Sequence, residues 1–335
     1  MLGSSNQSKI ANGGTRYTMI YRDATSLPKD TTTTSFSLSN PLPAGMVARV
    51  GLRFTASTAT AGAYPTSSSF FDVVQGVRFT FNGDQWCNIQ TQSNSANNVD
   101  MSRLSAMVQD IGGAVVEDTA SLTAVDATVW IPCGINVPNN SRFELALDMI
   151  ASEVAIDSGN FEVWIEYGSA STITFIGNQT SQNIAENAQT LMTVKIPSVA
   201  GATVAGIMLQ GATAEDNLST VIVKPLGDWA FSPTYLRGIS GASQNNYQYY
   251  GLTAGNVNTF ANAVRGYYFI PLYNLSIGES GSVQLLLTAS AAQFYTATPV
   301  LNIANGGGSG ERQGRQTSRV ETGSKQAILQ RSEEV

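Results

Sequence analysis

The chain has 335 residues, enough for two domains or one large all-β domain, and 42% are hydrophobic, so a sizeable core can form. Only 13% are charged and the net charge is −6, with five lysines against thirteen arginines, which argues against coating nucleic acid, since that needs clustered cations. Histidine is absent, which removes Ser-His-Asp and Cys-His catalysis, His-ligated metals and histidine pH switching together.

The N-terminus, MLGSSNQSKIANGG, is polar and lacks the apolar core of a secretory signal. No stretch approaches the ~20 apolar residues that a spanning helix needs. Residues 1–15, with Lys9 and then Arg16 and Arg22, read as an arm. Next comes PLPAGMVARVGLRF (Pro41–Phe54), a Gly- and Pro-punctuated strand. In VRFTFN, Val77, Phe79 and Phe81 alternate with Arg78, Thr80 and Asn82, the period-two mark of a half-buried strand. Trp86, which follows the Gly-Asp turn, reads as a core or corner residue.

One helix is expected: Asp100 caps MSRLSAMVQDI, where Met101, Leu104, Met107, Val108 and Ile111 share a face, and Gly112 and Gly113 stop it. Cys87 and Cys133 make no disulfide framework and read as two free buried thiols. Further strands follow in SRFELALD, with Phe143, Leu145 and Leu147 on one face. In NFEVWIEY, Phe161, Val163, Ile165 and Tyr167 oppose Glu162, Trp164 and Glu166. The many short alternating runs between Gly, Pro, Asn and Ser clusters support an antiparallel all-β fold.

The carboxylates Glu117, Asp118 and Asp126, and the pair Glu215 and Asp216, are weak calcium candidates; they are read as inter-strand loops, and solvated turns explain them equally. No nucleophile elbow, P-loop or dinucleotide fingerprint is present. No cofactor and no catalytic residue are therefore expected. The tyrosine cluster NNYQYYG, with Tyr247, Tyr249 and Tyr250, suits either a subunit interface or a sugar-stacking platform. After Asn305 the composition breaks into GGGSGERQGRQTSRVETGSKQAILQRSEEV, an arm carrying Arg312, Arg315 and Arg319 that cannot bury a core.

Several landmarks recur in order. The stretch VAGATVAGIML (Val199–Leu209) repeats the Ala-Gly and Gly-apolar pattern of the Pro41–Phe54 strand, setting Gly45 on Gly201 and Gly51 on Gly206. FNGDQW matches PLGDW, placing Trp229 beside Trp86. Ile131-Pro132 fall on Ile270-Pro271, and Phe143, Leu145 and Leu147 on Val283, Leu285 and Leu287. The repetition predicts two similar β-domains, 16–173 and 189–305, joined by a polar linker at 174–188 and flanked by arms at 1–15 and 306–335.

This duplicated pattern, with SLSNPLPAGMVARVGLRFTAST as a first strand pair and VRFTFNGDQW as the middle strands, resembles the double-jelly-roll major capsid proteins of tailless, membrane-containing icosahedral bacteriophages. The lipid-containing phages of flavobacteria are the nearest type. The resemblance implies two tandem jelly-roll β-barrels or sandwiches with short loop helices, no catalytic site, and trimers whose six jelly rolls tile a virion shell. It further implies assembly in the host cytoplasm, partners among minor capsid or penton proteins, an internal membrane near the arms, and no sequence-specific nucleic-acid binding. Lys9, Arg16, Arg312, Arg315 and Arg319 join the three tyrosines as interface candidates. Two rivals remain: a tandem β-sandwich glycan-binding or adhesin protein, and a carboxylate-dependent glycan hydrolase using Glu117, Asp118 or Asp216. Metal-dependent bicupins are excluded because their site needs histidines.

Overall fold

A computed structural model of the chain describes residues 9–10, 15–23, 33–37, 41–57, 74–90, 103–121, 124–149, 158–170, 172–212, 217–224, 229–231, 236, 266–276 and 281–304. The alternating runs become strands. In the first half these are β1 (Lys9–Ile10), β2 (Arg16–Asp23), β3 (Thr33–Ser37), β4 (Gly45–Ser57), β5 (Val74–Phe81) and β6 (Asp84–Gln90). After the helix α1 (Arg103–Asp110) follow β7 (Ala114–Ser121), β8 (Ala124–Val137), β9 (Phe143–Met149) and β10 (Ser158–Tyr167). The second half holds β11 (Thr172–Ile176), β12 (Thr180–Ile184), β13 (Gln189–Lys195), β14 (Ala202–Gly211) and β15 (Leu218–Lys224). It ends with β16 (Trp229–Phe231), β17 (Tyr267–Leu275), β18 (Ser282–Ala289) and β19 (Gln293–Ala304).

Strand order repeats between the halves. The first half pairs β2-β10-β4-β8 in one sheet, extended by β1 and β7 at its edges, and β3-β9-β5-β6 in the other. The second half pairs β11 and β12 with β19, then β14 and β17, and sets β13-β18-β15-β16 opposite. Counting β11–β12 as one interrupted strand and setting aside β1 and β7, each half has chain order one-eight-three-six in one sheet and two-seven-four-five in the other. Those are two wrapped Greek keys, the order of a jelly roll. Among the described residues all ladders between strands are antiparallel, and each half closes its two sheets on its own apolar cluster, so the fold class is a double jelly roll.

Alternation decides which residues enter those cores. Val77, Phe79 and Phe81, then Phe143, Leu145 and Leu147, then Phe161, Val163, Ile165 and Tyr167 are all buried. Their second-half matches Val283, Leu285 and Leu287 are fully buried as well. The β5–β6 hairpin turns on Asn82 and Gly83, both left-handed (φ 53° and 88°), as a two-residue type I′ turn requires.

α1 ends as its glycines dictate. Gly113 N–H bonds the Val108 carbonyl at 2.8 Å, Gly112 N–H bonds the Gln109 carbonyl at 3.0 Å, and Gly112 has φ 84°. That is a Schellman stop. Leu104, Ala106, Met107 and Val108 are buried; the capping residue Asp100 and Met101 lie outside the described residues.

Two sequence expectations are corrected. Residues 174–188 do not form a plain linker: they hold the end of β11 and all of β12, both laddered to β19. The repeat register also shifts. β4 meets β8 through Arg49↔Pro132, Val50↔Ile131 and Gly51↔Trp130, while β14 meets β17 through Gly206↔Pro271, Ile207↔Ile270 and Met208↔Phe269. With the Ile-Pro pairs superposed, VARVGL (47–52) lies on VAGIML (204–209), so Gly206 matches Arg49 and Gly51 matches Met208. Both strands carry a bulge at the matched alanines, Ala48 and Ala205, where the ladder register slips. Gly134 and its match Tyr273 both take left-handed backbone there (φ 64° and 51°).

Candidate functional site

The two jelly rolls meet along a seam that is apolar at its centre and amide-bonded at its edge. Ile176, Met208, Tyr267 and Val300 turn away from the second core and join the first-half cluster. α1 lies against β5, β6, β7, β8 and β17. Trp86 sets an edge-to-face contact on Phe175 with ring centroids 5.9 Å apart, so it is a seam residue. The Trp229 side chain lies outside the described residues.

Five side-chain amides close the edge. The Asn178 side-chain oxygen accepts from Gln85 Nε2 and Asn88 Nδ2, each at 3.0 Å. The Gln90 carbonyl accepts from Gln179 Nε2 at 2.8 Å and Gln210 Nε2 at 2.6 Å. Gln210 is fully buried, so its amide is bonded rather than hydrated, as a buried polar group must be. Gln210→Ala is expected to cost about 1–3 kcal/mol, read as a lower denaturant midpoint at unchanged slope.

These amides escape sequence reasoning because none belongs to a motif. A signal for the buried face is nevertheless present. Ile207, Met208 and Leu209 break alternation as three successive large apolar residues, and that requires a sheet covered on both faces.

The matching face of the first half is charged. Outward from β4, Arg49 Nε donates to Glu166 at 2.6 Å, and Arg53 grips Asp126 with Nε at 2.9 Å and Nη2 at 2.5 Å. Arg53 Nη1 also reaches Glu162 at 3.3 Å, and Trp164 Nε1 donates to the same carboxylate at 2.9 Å. The Trp130 ring lies over Gly51, where a Cβ would stand 2.6 Å from it, and the Arg49 guanidinium sits 5.4 Å from the ring centre. Glu162 and Glu166 keep only 9% and 11% of their side-chain surface exposed. The Arg53 guanidinium is held protonated chiefly by its hydrogen bonds to Asp126.

The sequence-predicted candidates fall differently. Glu117 and Asp118 stand within β7, not in a loop, with Asp118 opposite Asp126 in the ladder. Asp126 is already gripped by Arg53, and among the described residues no three acidic, cysteine or histidine side chains converge. Glu215, Asp216, Tyr247, Tyr249, Tyr250, Arg312, Arg315 and Arg319 lie outside the described residues. Lys9 is on β1, paired to Tyr17. Arg16 places its guanidinium 4.5 Å from the Tyr167 ring centre, so it packs on its own sheet.

Cys87 and Cys133 are free and fully buried in β6 and β8. Their thiols face the carbonyls of Val77 at 3.7 Å and Val47 at 3.4 Å. Burial pushes both thiols up, Cys133 to about 12, which leaves them protonated and poor nucleophiles. Burial, reinforced by the neighbouring Asp110 carboxylate, likewise holds the Tyr267 hydroxyl well above its ordinary value. The described polar groups thus hold strands and halves together. No described helix is long and apolar enough to cross a membrane.

The fold and seam place the chain in the class of double-jelly-roll proteins. Among solved structures it is similar to the STIV major capsid protein, with a TM-score of 0.55 at 10% identity, over 85% of this chain and 97% of that one. It is also similar to the major capsid protein P2 of bacteriophage PM2, with a TM-score of 0.51 at 10% identity, over 87% and 98% of the respective chains. At that identity the likeness defines the fold. No protein-family model and no curated sequence matches the chain.

Proposed function

We propose that this chain is a major coat subunit of a virion shell and acts without catalysis. The observation that carries the reading is the architecture. Two jelly rolls of identical strand order share one chain and are fixed to each other by a buried seam. Proteins of the same fold along nearly their whole length bear the name of major capsid proteins. A shell subunit needs rigid units with few free strand edges, which two-sheet jelly rolls provide.

In this reading three copies associate so that six jelly rolls form a pseudo-hexagonal block, and the blocks tile an icosahedral virion assembled in host cytoplasm. The units are the two expected β-domains with one adjustment: the first ends before β11, and the second takes in β11 and β12, which ladder to β19, and runs on to 305. Segments 1–15 and 306–335 are arms reaching neighbouring capsomers, minor or penton proteins, or an inner membrane. Tyr247, Tyr249 and Tyr250 serve contacts between subunits.

Size-exclusion chromatography with light scattering, followed by electron microscopy, tests this. The expected species has three times the chain mass and a hexagonal outline. A monomer that is retained on a glycan column would replace the coat reading with the sugar-binding one.

A further inference from the structure

The tip of the β5–β6 hairpin holds a reactive pair that the coat reading does not use. Asn82 and Gly83 are both exposed. Asparagine is a thermolabile residue, and a following glycine makes it most so, because no Cβ shields the next backbone nitrogen. In the reaction the Gly83 nitrogen attacks Asn82 Cγ and gives up its proton, the Cγ–Nδ2 bond breaks, and ammonia leaves. The cyclic imide that forms takes up water at one of its two carbonyls. Opening at Cγ leaves aspartate; opening at the main-chain carbonyl leaves isoaspartate, whose chain runs through Cβ and Cγ. Nothing is oxidised or reduced, and water is the sole co-reactant.

The fold holds the starting amide away from that path. Asn82 Oδ1 accepts the Arg142 N–H at 2.8 Å, Nδ2 donates to Ser141 Oγ at 3.2 Å, and the Asn82 N–H donates to the Arg142 carbonyl at 2.8 Å. Ser141 is itself fixed. It is buried, its hydroxyl donates to the Pro138 carbonyl at 2.7 Å, and its own carbonyl accepts the Leu42 N–H at 2.7 Å. With both ends of the carboxamide bonded towards residues 141 and 142, Cγ cannot swing onto the Gly83 nitrogen until this clasp opens. Gly83 adds no obstacle of its own, since nothing lies within 4 Å of the point where its Cβ would stand. The clasp is therefore the gate, and the rate in the fold is the free-chain rate multiplied by the fraction of time that the clasp is open.

We infer that Asn82 is a deamidation site that the fold keeps shut, and that its conversion unfastens the hairpin tip for good. The product cannot rebuild the clasp. The Ser141 hydroxyl proton already lies on the Pro138 carbonyl, so Ser141 Oγ presents only lone pairs to residue 82. An amide meets them with an N–H, whereas a carboxylate has acceptors alone. Isoaspartate also lengthens the main chain of a two-residue turn, whose length sets the register of β5 against β6. The inference goes beyond the coat reading and does not depend on it.

Peptide mass spectrometry of the full chain, incubated at pH 8 with and without guanidinium, tests it. The chain has three Asn-Gly pairs, at Asn12, Asn82 and Asn305, and in denaturant all are expected to lose their amides at similar rates. Without denaturant Asn82 is expected to react at least about tenfold more slowly than in it. Ser141→Ala removes the Nδ2 partner and is expected to speed the Asn82 reaction several-fold in the fold, with no effect in denaturant. Gln210→Ala weakens the seam at the far end of β6 and is expected to leave the Asn82 rate unchanged, which separates opening of the tip from unfolding of the chain. Asn82→Asp, which suits the same left-handed backbone, is expected to lower the denaturant midpoint. An Asn82 rate in the fold within about twofold of that in denaturant overturns the inference. So does a Ser141→Ala rate no faster than that of the unaltered chain, or one matched by Gln210→Ala. An Asn82→Asp chain as stable as the unaltered one overturns the unfastening.

Discussion

Alanine at position 134 is expected to cost about 4 kcal/mol of stability, from two additive sources. Gly134 has φ 64°, a conformation that L-residues enter at a cost of about 1 kcal/mol or more. Its added Cβ would also be driven into the Thr172 carbonyl oxygen, which belongs to β11 and cannot swing aside as a side-chain tip can. Relief would require β8 or β11 to move, and both are laddered, to β4 and β19 respectively. The control is Gly83, which has φ 88° but nothing within 4 Å of the point where a Cβ would stand; Gly83→Ala is expected to lose only about 1 kcal/mol. Guanidinium titrations followed by tryptophan fluorescence measure both. Equal losses at the two positions would mean that the backbone collision at Gly134 relaxes away.

Much of the fold is legible because period-two alternation is a local property. Phe161, Val163 and Ile165 can be assigned to a core, and Glu162, Trp164 and Glu166 to the opposite face, from adjacent residues alone. The duplication is legible for the same reason: Ile131-Pro132 and Ile270-Pro271 do lie on matched strands. What fails is the register of the first landmark. Matching Gly51 to Gly206 treats the glycines as a shared turn signal, yet each serves a different local need. Gly51 lies beneath the Trp130 ring, and at Gly206 a side chain would meet both the Phe269 ring and, at 2.8 Å, the Ile270 carbonyl. The shared geometry is the bulge at Ala48 and Ala205, and a bulge leaves almost no mark on composition.

Residues 174–188 mislead for a related reason. Their polar character suits a linker, but β12 pairs on one side of β19 with its alternate side chains half exposed, so polar residues are compatible with a strand there. The seam is the least legible part. Gln90 contributes a backbone carbonyl, and Gln85, Asn88, Gln179 and Gln210 are ordinary amides whose role depends on packing across more than eighty residues of sequence. The charged lattice of Arg49, Arg53, Glu162 and Glu166 lies in plain sight as outward residues, but alternation alone cannot tell a solvated face from one that packs.

Raising the pH from 8 to 11 is expected to remove about 5 kcal/mol of stability through the two buried thiols. In the unfolded chain each thiol ionises near its ordinary value of 9; in the fold both are held higher, Cys133 at about 12 and Cys87 beyond it, by burial first. Below pH 9 both states hold both protons and the thiols have no effect on the pH dependence. Above pH 9 the unfolded chain releases protons that the folded chain retains, so the unfolded state gains and stability falls by roughly 1 kcal/mol per pH unit for each thiol. Tyr267, raised in the same way from 10, adds to the slope above that pH. The variant Cys87→Ala with Cys133→Ala loses packing at pH 7, yet its stability should decline far less between pH 9 and 11. Denaturant midpoints measured across that range decide the matter: parallel curves for the variant and the unaltered chain would show that the thiols ionise as readily in the fold as outside it. Titration with a thiol-specific reagent at pH 8 gives the same answer by chemistry, since neither cysteine should react until denaturant is added.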